Sequence, residues 1–194
     1  PELISLFNAF GGLCAMIIGI NEIFLRSADS LFLIDKIILL LGIVLGAASF
    51  TGSIIAYYKL GGRLKWQLNS RLYASGSIIV MIVLIGLHFI FPTYLAFTWL
   101  GVSLAGISLL YGVLFAVPIG GADMPVLISI LNAVTGVATA LSGIVFESSI
   151  MLLGGILVGS TGILLTMQMC KAMNRSFLNV LFGAFGQVSE VLVG

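Results

Sequence analysis

Two carboxamides, Asn8 and Asn132, lie within long apolar stretches, each in a stripe of small or hydroxylated residues at helical spacing. Ser5, Asn8, Gly12, Ala15, Gly19 and Glu22 share one helix face, as do Ser129, Asn132, Thr135, Gly136, Thr139 and Ser142 on another. A carboxamide in hydrocarbon is costly without partners, so each must bond across helices or face a wet cavity. Hydroxyls and amides can hold water and hand protons along it, although an amide does not itself titrate near neutral pH. They can equally serve as glue between helices. The spacing leaves both uses open.

Other polar residues have plainer readings. His88, the only histidine, could relay protons, but it lies within a turn of Pro92 at the end of an apolar run, which suits an interfacial imidazole. Asp123, with Pro125 two residues on, has the chemistry of a helix start. Lys171 and Arg175 stand one turn apart at a helix end, where the helix dipole favours cations. Glu22 and Glu147 are expected in solvent at the outer surface. Cys14 and Cys170 are far apart, with no ligand-like neighbours, which supports neither a disulfide nor a metal site. No GxSxG, HExxH, Walker or GxGxxG motif occurs, so no soluble-type catalytic or nucleotide site is visible in this chain.

The elements that must position these groups follow from composition. Of 194 residues, 60% are hydrophobic and 8% charged, and the mean hydropathy is +1.26. That much apolar surface cannot be hidden in water. A net charge of +1 gives no field for nucleic acid. Spans of about 20 apolar residues read as membrane-crossing helices. Six such runs appear: Leu3 to Leu25, Ile34 to Leu60, Leu72 to Phe91, Tyr94 to Ile119, Pro125 to Phe146 and Ile150 to Ala172. The fold class is therefore all-α, a polytopic transmembrane bundle, and the absence of period-2 alternation argues against a barrel. Three runs carry further small-residue faces, Gly42-Gly46-Ser49-Ser53, Gly101-Ala105-Ser108-Gly112 and Gly155-Gly159-Gly162-Thr166, which predict close helix packing.

Alternation of the runs puts Lys59, Arg63, Lys65, Arg71, Lys171 and Arg175 on one side of the membrane, and only Arg26 and Lys36 on the other. The basic side is expected to be cytoplasmic, and with it both chain ends and the Asp123 loop. The opening at Pro1, without a signal-like basic region, and the stop at Gly194 suggest part of a longer polypeptide.

Beyond periodicity, Ile119-Gly120-Gly121-Ala122-Asp123-Met124-Pro125-Val126, Leu131-Asn132, Leu157-Val158-Gly159-Ser160-Thr161-Gly162 and Met169-Cys170-Lys171-Ala172-Met173-Asn174-Arg175-Ser176-Phe177 closely resemble the proton-translocating nicotinamide nucleotide transhydrogenase family, in the membrane domain of its beta subunit. Phe50-Thr51-Gly52-Ser53, Pro1-Glu2-Leu3 and Phe10-Gly11-Gly12 also fit. The resemblance implies proton passage through this domain, coupled to hydride transfer from NADH to NADP in separate soluble domains. It implies that Asn132 lies in the proton path and Asp123 at the cytoplasmic face beside the NADP domain. Ser53, Gly159 and Ser160 lie in the matching helix phrases, and Lys171 and Arg175 fall where the membrane domain hands over to the NADP domain. With Asn8 and Ser129 from the polar stripes, these complete the candidate set.

On this reading, residues 1–176 form the transmembrane proton-translocation domain and 177–194 a linker toward a cytoplasmic NADP-binding domain. The domain itself binds no cofactor, with NADP and NAD carried elsewhere in the complex. Expected partners are membrane lipid, the alpha subunit with its transmembrane helices, the chain's own NADP-binding domain and a second copy of the complex, in a bacterial inner membrane rather than a mitochondrial one. Many relatives carry a membrane histidine where this chain has Asn8, so a titratable station would have to come from elsewhere, foremost the partner subunit. The rival reading, a solute transporter or anchor built on the same stripes, lacks the broken helix with convergent charges that solute sites require.

Overall fold

The computed structural model describes residues 1–25, 32–64, 79, 82–83 and 94–174. Nearly all of the expected third run, together with His88, Pro92, Arg26, Asp29, Lys65, Arg71, Arg175 and the 177–194 linker, lies outside the described residues.

Five helices are described: α1 (Glu2–Leu25), α2 (Leu33–Leu60), α3 (Tyr94–Ala116), α4 (Met124–Val145) and α5 (Ser149–Ala172). All five contain stretches long and apolar enough to cross a membrane. Four match the expected runs to within about one residue at each end, a scatter normal for helix boundaries. The fourth run ends earlier than expected, at Ala116 rather than Ile119, and residues 117–120 lead into a short 3-10 turn, Gly121–Asp123, that feeds α4.

Helix ends have local causes. After α2, Gly62 adopts φ 66, its N–H donates to the Lys59 carbonyl, and the Arg63 N–H donates to that of Tyr58. After α4, Glu147 takes the same left-handed position at φ 50, with the Glu147 and Ser148 N–H groups donating to the Ile144 and Gly143 carbonyls. Glycine is the usual residue there because it has no Cβ to clash, so Glu147 carries strain that the tight connection to α5 imposes. That connection is then sealed by the Ser148 hydroxyl, which accepts the Met151 N–H as the cap of α5.

Consecutive packing places α1 beside α2, α2 beside both α3 and α4, and α4 beside α5. Each small-residue stripe named from the sequence is turned inward. Ser5, Asn8, Gly12, Ala15, Gly19 and Glu22 are buried in α1, Gly42, Gly46, Ser49 and Ser53 in α2, and Gly155, Gly159, Gly162 and Thr166 in α5. Two apolar clusters close the ends of the bundle. Ile23, Leu39, Ile43, Phe97 and Leu104 fill one end. Ala56, Ala116, Ile119, Met124, Leu127 and Cys170 fill the other, which also bears Lys59, Arg63 and Lys171 and is called the basic end below. Glu22 departs from expectation: it is 4% exposed rather than solvated, because it continues the inward stripe of α1 past Gly19. Glu147 is exposed, as expected.

Candidate functional site

Three helices bring polar side chains together in the bundle. From α1, the Asn8 amide nitrogen donates to Ser53 Oγ at 2.8 Å and to Ser49 Oγ at 3.4 Å on α2. The Ser5 hydroxyl donates to the Ser53 carbonyl at 2.6 Å. On the α4 side, Ser49 Oγ lies 2.5 Å from Thr135 Oγ1, and the Thr135 hydroxyl lies 2.9 Å from the Leu131 carbonyl. Asn8 donates to Ser49 and Ser53, while between Ser49 and Thr135 either hydroxyl can give the proton, because both also reach the Leu131 carbonyl, Ser49 at 3.0 Å. All five side chains are buried, from 0% exposure at Ser5, Ser49 and Ser53 to 7% at Asn8. Taking about 1.5 Å of rise per residue, this ladder runs from about 5 Å to about 17 Å below the basic end.

The ladder exists because α1 and α2 approach very closely. A Cβ added to Gly12 would stand 2.8 Å from the Gly46 carbonyl oxygen, and one added to Gly46 the same distance from that of Gly12. Neither position can carry a side chain without moving backbone. This crossing sets the register that brings Asn8 opposite Ser49 and Ser53.

The expected site residues divide into three groups. Asn8 and Ser53 meet in the ladder, together with Ser5, Ser49 and Thr135, which were read as stripe members but not as site residues. Asn132 stands beside it, half-buried, between the residues that meet α2 (Leu131, Thr135) and those that meet α5 (Ser129, Gly136), and its amide has no hydrogen-bond partner among the described residues. Ser129, Gly159 and Ser160 belong elsewhere. The Ser129 hydroxyl donates across to the Gly162 carbonyl at 2.9 Å, bracing α4 on α5. Gly159 lies in that same seam, where a Cβ on Gly136 would come within 2.3 Å of its backbone nitrogen. Ser160 faces outward from α5 and donates to its own helix at Ile156, at 2.6 Å, so it is not joined to the ladder within this chain.

At the basic end, Asp123 occupies the position before α4 but does not cap it. Its backbone, at φ −91 and ψ −1, is already helical because the 3-10 turn precedes it, and a capping side chain needs an extended residue there. The carboxyl is 7% exposed and has no ion pair or hydrogen bond among the described residues. Lys171 is exposed in the last turn of α5, next to buried Cys170, which packs in the same cluster as Ile119 and Met124. Sequence reasoning missed Lys59, which it counted only as a topology cation. Its ammonium donates to the carbonyls of Val117 and Ile119, the latter at 2.8 Å.

A family model described as "NAD(P) transhydrogenase beta subunit" matches residues 1–192. Two sequences named NAD(P) transhydrogenase subunit beta, both from Rhodospirillum rubrum, are 33% identical to it over 199 residues, covering 98% of this chain and 42% of their own length. The chain thus spans less than half the length of these relatives. A helical bundle suited to several membrane crossings, matched along nearly all of its length, belongs to the NAD(P) transhydrogenase beta-subunit family.

Proposed function

We propose that this chain is the proton-conducting membrane part of a proton-translocating NAD(P) transhydrogenase, coupling transmembrane proton movement to hydride transfer from NADH to NADP in separate soluble domains. The observation that carries the reading is the buried ladder from Asn8 through Ser49 to Thr135. The Ser49 and Thr135 hydroxyls can each accept a proton on oxygen while releasing their own, with water beside Asn132 taking the released proton onward, whereas the Leu131 carbonyl only accepts a hydrogen bond and holds the hydroxyls in place. Asn8 and Asn132 orient water and do not exchange protons of their own. No group of the ladder titrates near neutral pH, so the protonatable station comes from a transmembrane helix of the alpha subunit. The half-buried Asn132 is where water or such a helix would meet the ladder.

The basic end faces the cytoplasm, following its Lys and Arg content. There the buried carboxyl of Asp123, unpaired among the described residues, gives the NADP-binding domain a group to engage, with Lys171 and Arg175 as further coupling residues. A buried polar group without a partner is costly, so docking that supplies one shifts the Asp123 turn. NADP and NAD bind to other domains of the complex, which sits in a bacterial inner membrane as a dimer.

The test uses the whole complex in liposomes. Asn132→Leu is expected to abolish proton pumping and slow the coupled reaction, while hydride transfer between isolated soluble domains stays intact. Normal pumping in that variant would remove Asn132 from the path.

A further inference from the structure

Where α3 ends at Ala116, the chain turns under the basic end before α4 begins, and the turn is buried. Val117 is 5% exposed and Ile119 1%. Beyond the last helical turn, carbonyls have no donor from their own helix, and leaving them unbonded in an apolar setting is costly. The N–H groups of this stretch point back into α3, Val117 to Val113 and Ile119 to Ala116. The two outward carbonyls are taken by one side chain from another helix, the ammonium of Lys59. Two of its three donors are thereby used. The position also suits a cation, because the C-terminal ends of α2 and α3 both present negative dipole ends there.

From this geometry we infer that Lys59 is a positioning residue that locks α2 to the turn delivering Asp123. The inference rests on the proposed role of Asp123 at the NADP-domain contact. Ile119 is four residues before Asp123, and Ser53 is six residues before Lys59, about 9 Å along α2 by helical rise. One side chain therefore ties the turn that leads to the docking carboxyl to the helix that carries Ser53 and Ser49. When Asp123 gains a partner and its turn shifts, the bonded carbonyls draw Lys59 and the end of α2 with them. That moves Ser53 and Ser49 against Asn8 and Thr135, and the Asn8–Ser49 bond, already at 3.4 Å, is the first to be lost on a small displacement. The link is a contiguous chain of bonds between two groups.

The experiment compares Lys59→Met, Lys59→Gln and Lys59→Arg in the full beta subunit assembled with its alpha partner in liposomes, reading protons moved per hydride transferred. Lys59→Met keeps the apolar stem and loses every donor. It is expected to retain hydride transfer while the proton-to-hydride ratio falls at least about fivefold, the lower range for a coupling interaction. Lys59→Gln, with a shorter donor, should fall between, and Lys59→Arg, whose fork can serve two carbonyls, should hold the ratio. This slippage differs from the Asn132→Leu outcome, in which both activities fall together, so the inference and the proton-path reading fail separately. An unchanged ratio in Lys59→Met would overturn the inference. So would a parallel loss of both activities that Lys59→Arg does not rescue, or failure of both Lys59→Met and Lys59→Gln to assemble.

Discussion

Helix α4 has two inner seams, and they are held by different physics. Toward α5 the contact is backbone on backbone: a Cβ on Gly136 would come within 2.3 Å of Gly159, one on Gly155 within 2.4 Å of Ala140, and one on Gly162 within 2.7 Å of Ala133. Toward α1 and α2 the contact is made by side chains, with Ser49 and Thr135 bonded across helices and Asn8 completing the set. Both seams arise from stripes of small and hydroxylated residues that look alike in sequence. The first holds one cross-helix side-chain bond, Ser129 to the Gly162 carbonyl, and no connected set of polar groups among the described residues. The second is a connected set of donors and acceptors, which is why the proton path belongs there.

The sharpest way to break this contrast is Gly136→Val. Its branched side chain would meet backbone atoms that cannot swing aside, and overpacking typically costs about 1–3 kcal/mol. The complex should lose assembly, read as the fraction surviving size exclusion in mild detergent. Wild-type yield would show that the seam is looser than its geometry. At the other extreme is Ser160→Ala. Ser160 is exposed and bonds only within its helix, so assembly and pumping should both stay near wild type, within about 0.5 kcal/mol in stability. A pumping defect there would extend the path onto the outer face of α5, where a helix of the alpha subunit would have to complete it.

Much of this was legible in the sequence. The inward faces were correctly given, because in lipid a helix turns its small and polar side toward other helices. Spacing along one helix, however, does not give the register between helices. Hence Ser49 was read as a packing residue, although the Gly12 and Gly46 crossing makes it the hub of the ladder. Ser160 belongs to the same short phrase as Gly159, yet Gly159 faces the bundle and Ser160 does not, because neighbours on a helix diverge by about 100°. Charge counting gave Lys59 a side of the membrane but not its carbonyl partners, which appear only when α3 ends three residues early. Glu22 was placed in solvent by its nearness to a helix end, whereas the stripe it continues decides its burial. Asp123 looked like a cap because the 3-10 turn before it leaves no simple periodic trace.

The central claim is that the hydroxyl ladder conducts while the glycine seam only packs, and Asn8→Leu tests it most directly. Hydrogen bonds between membrane helices average about 0.6 kcal/mol, so losing those of Asn8 should leave the bundle assembled. In liposomes the account predicts an assembled complex whose proton pumping falls at least about tenfold, equivalent to roughly 1.4 kcal/mol in a barrier, with the isolated soluble domains still transferring hydride. An assembled Asn8→Leu complex that pumps at the wild-type rate would contradict it.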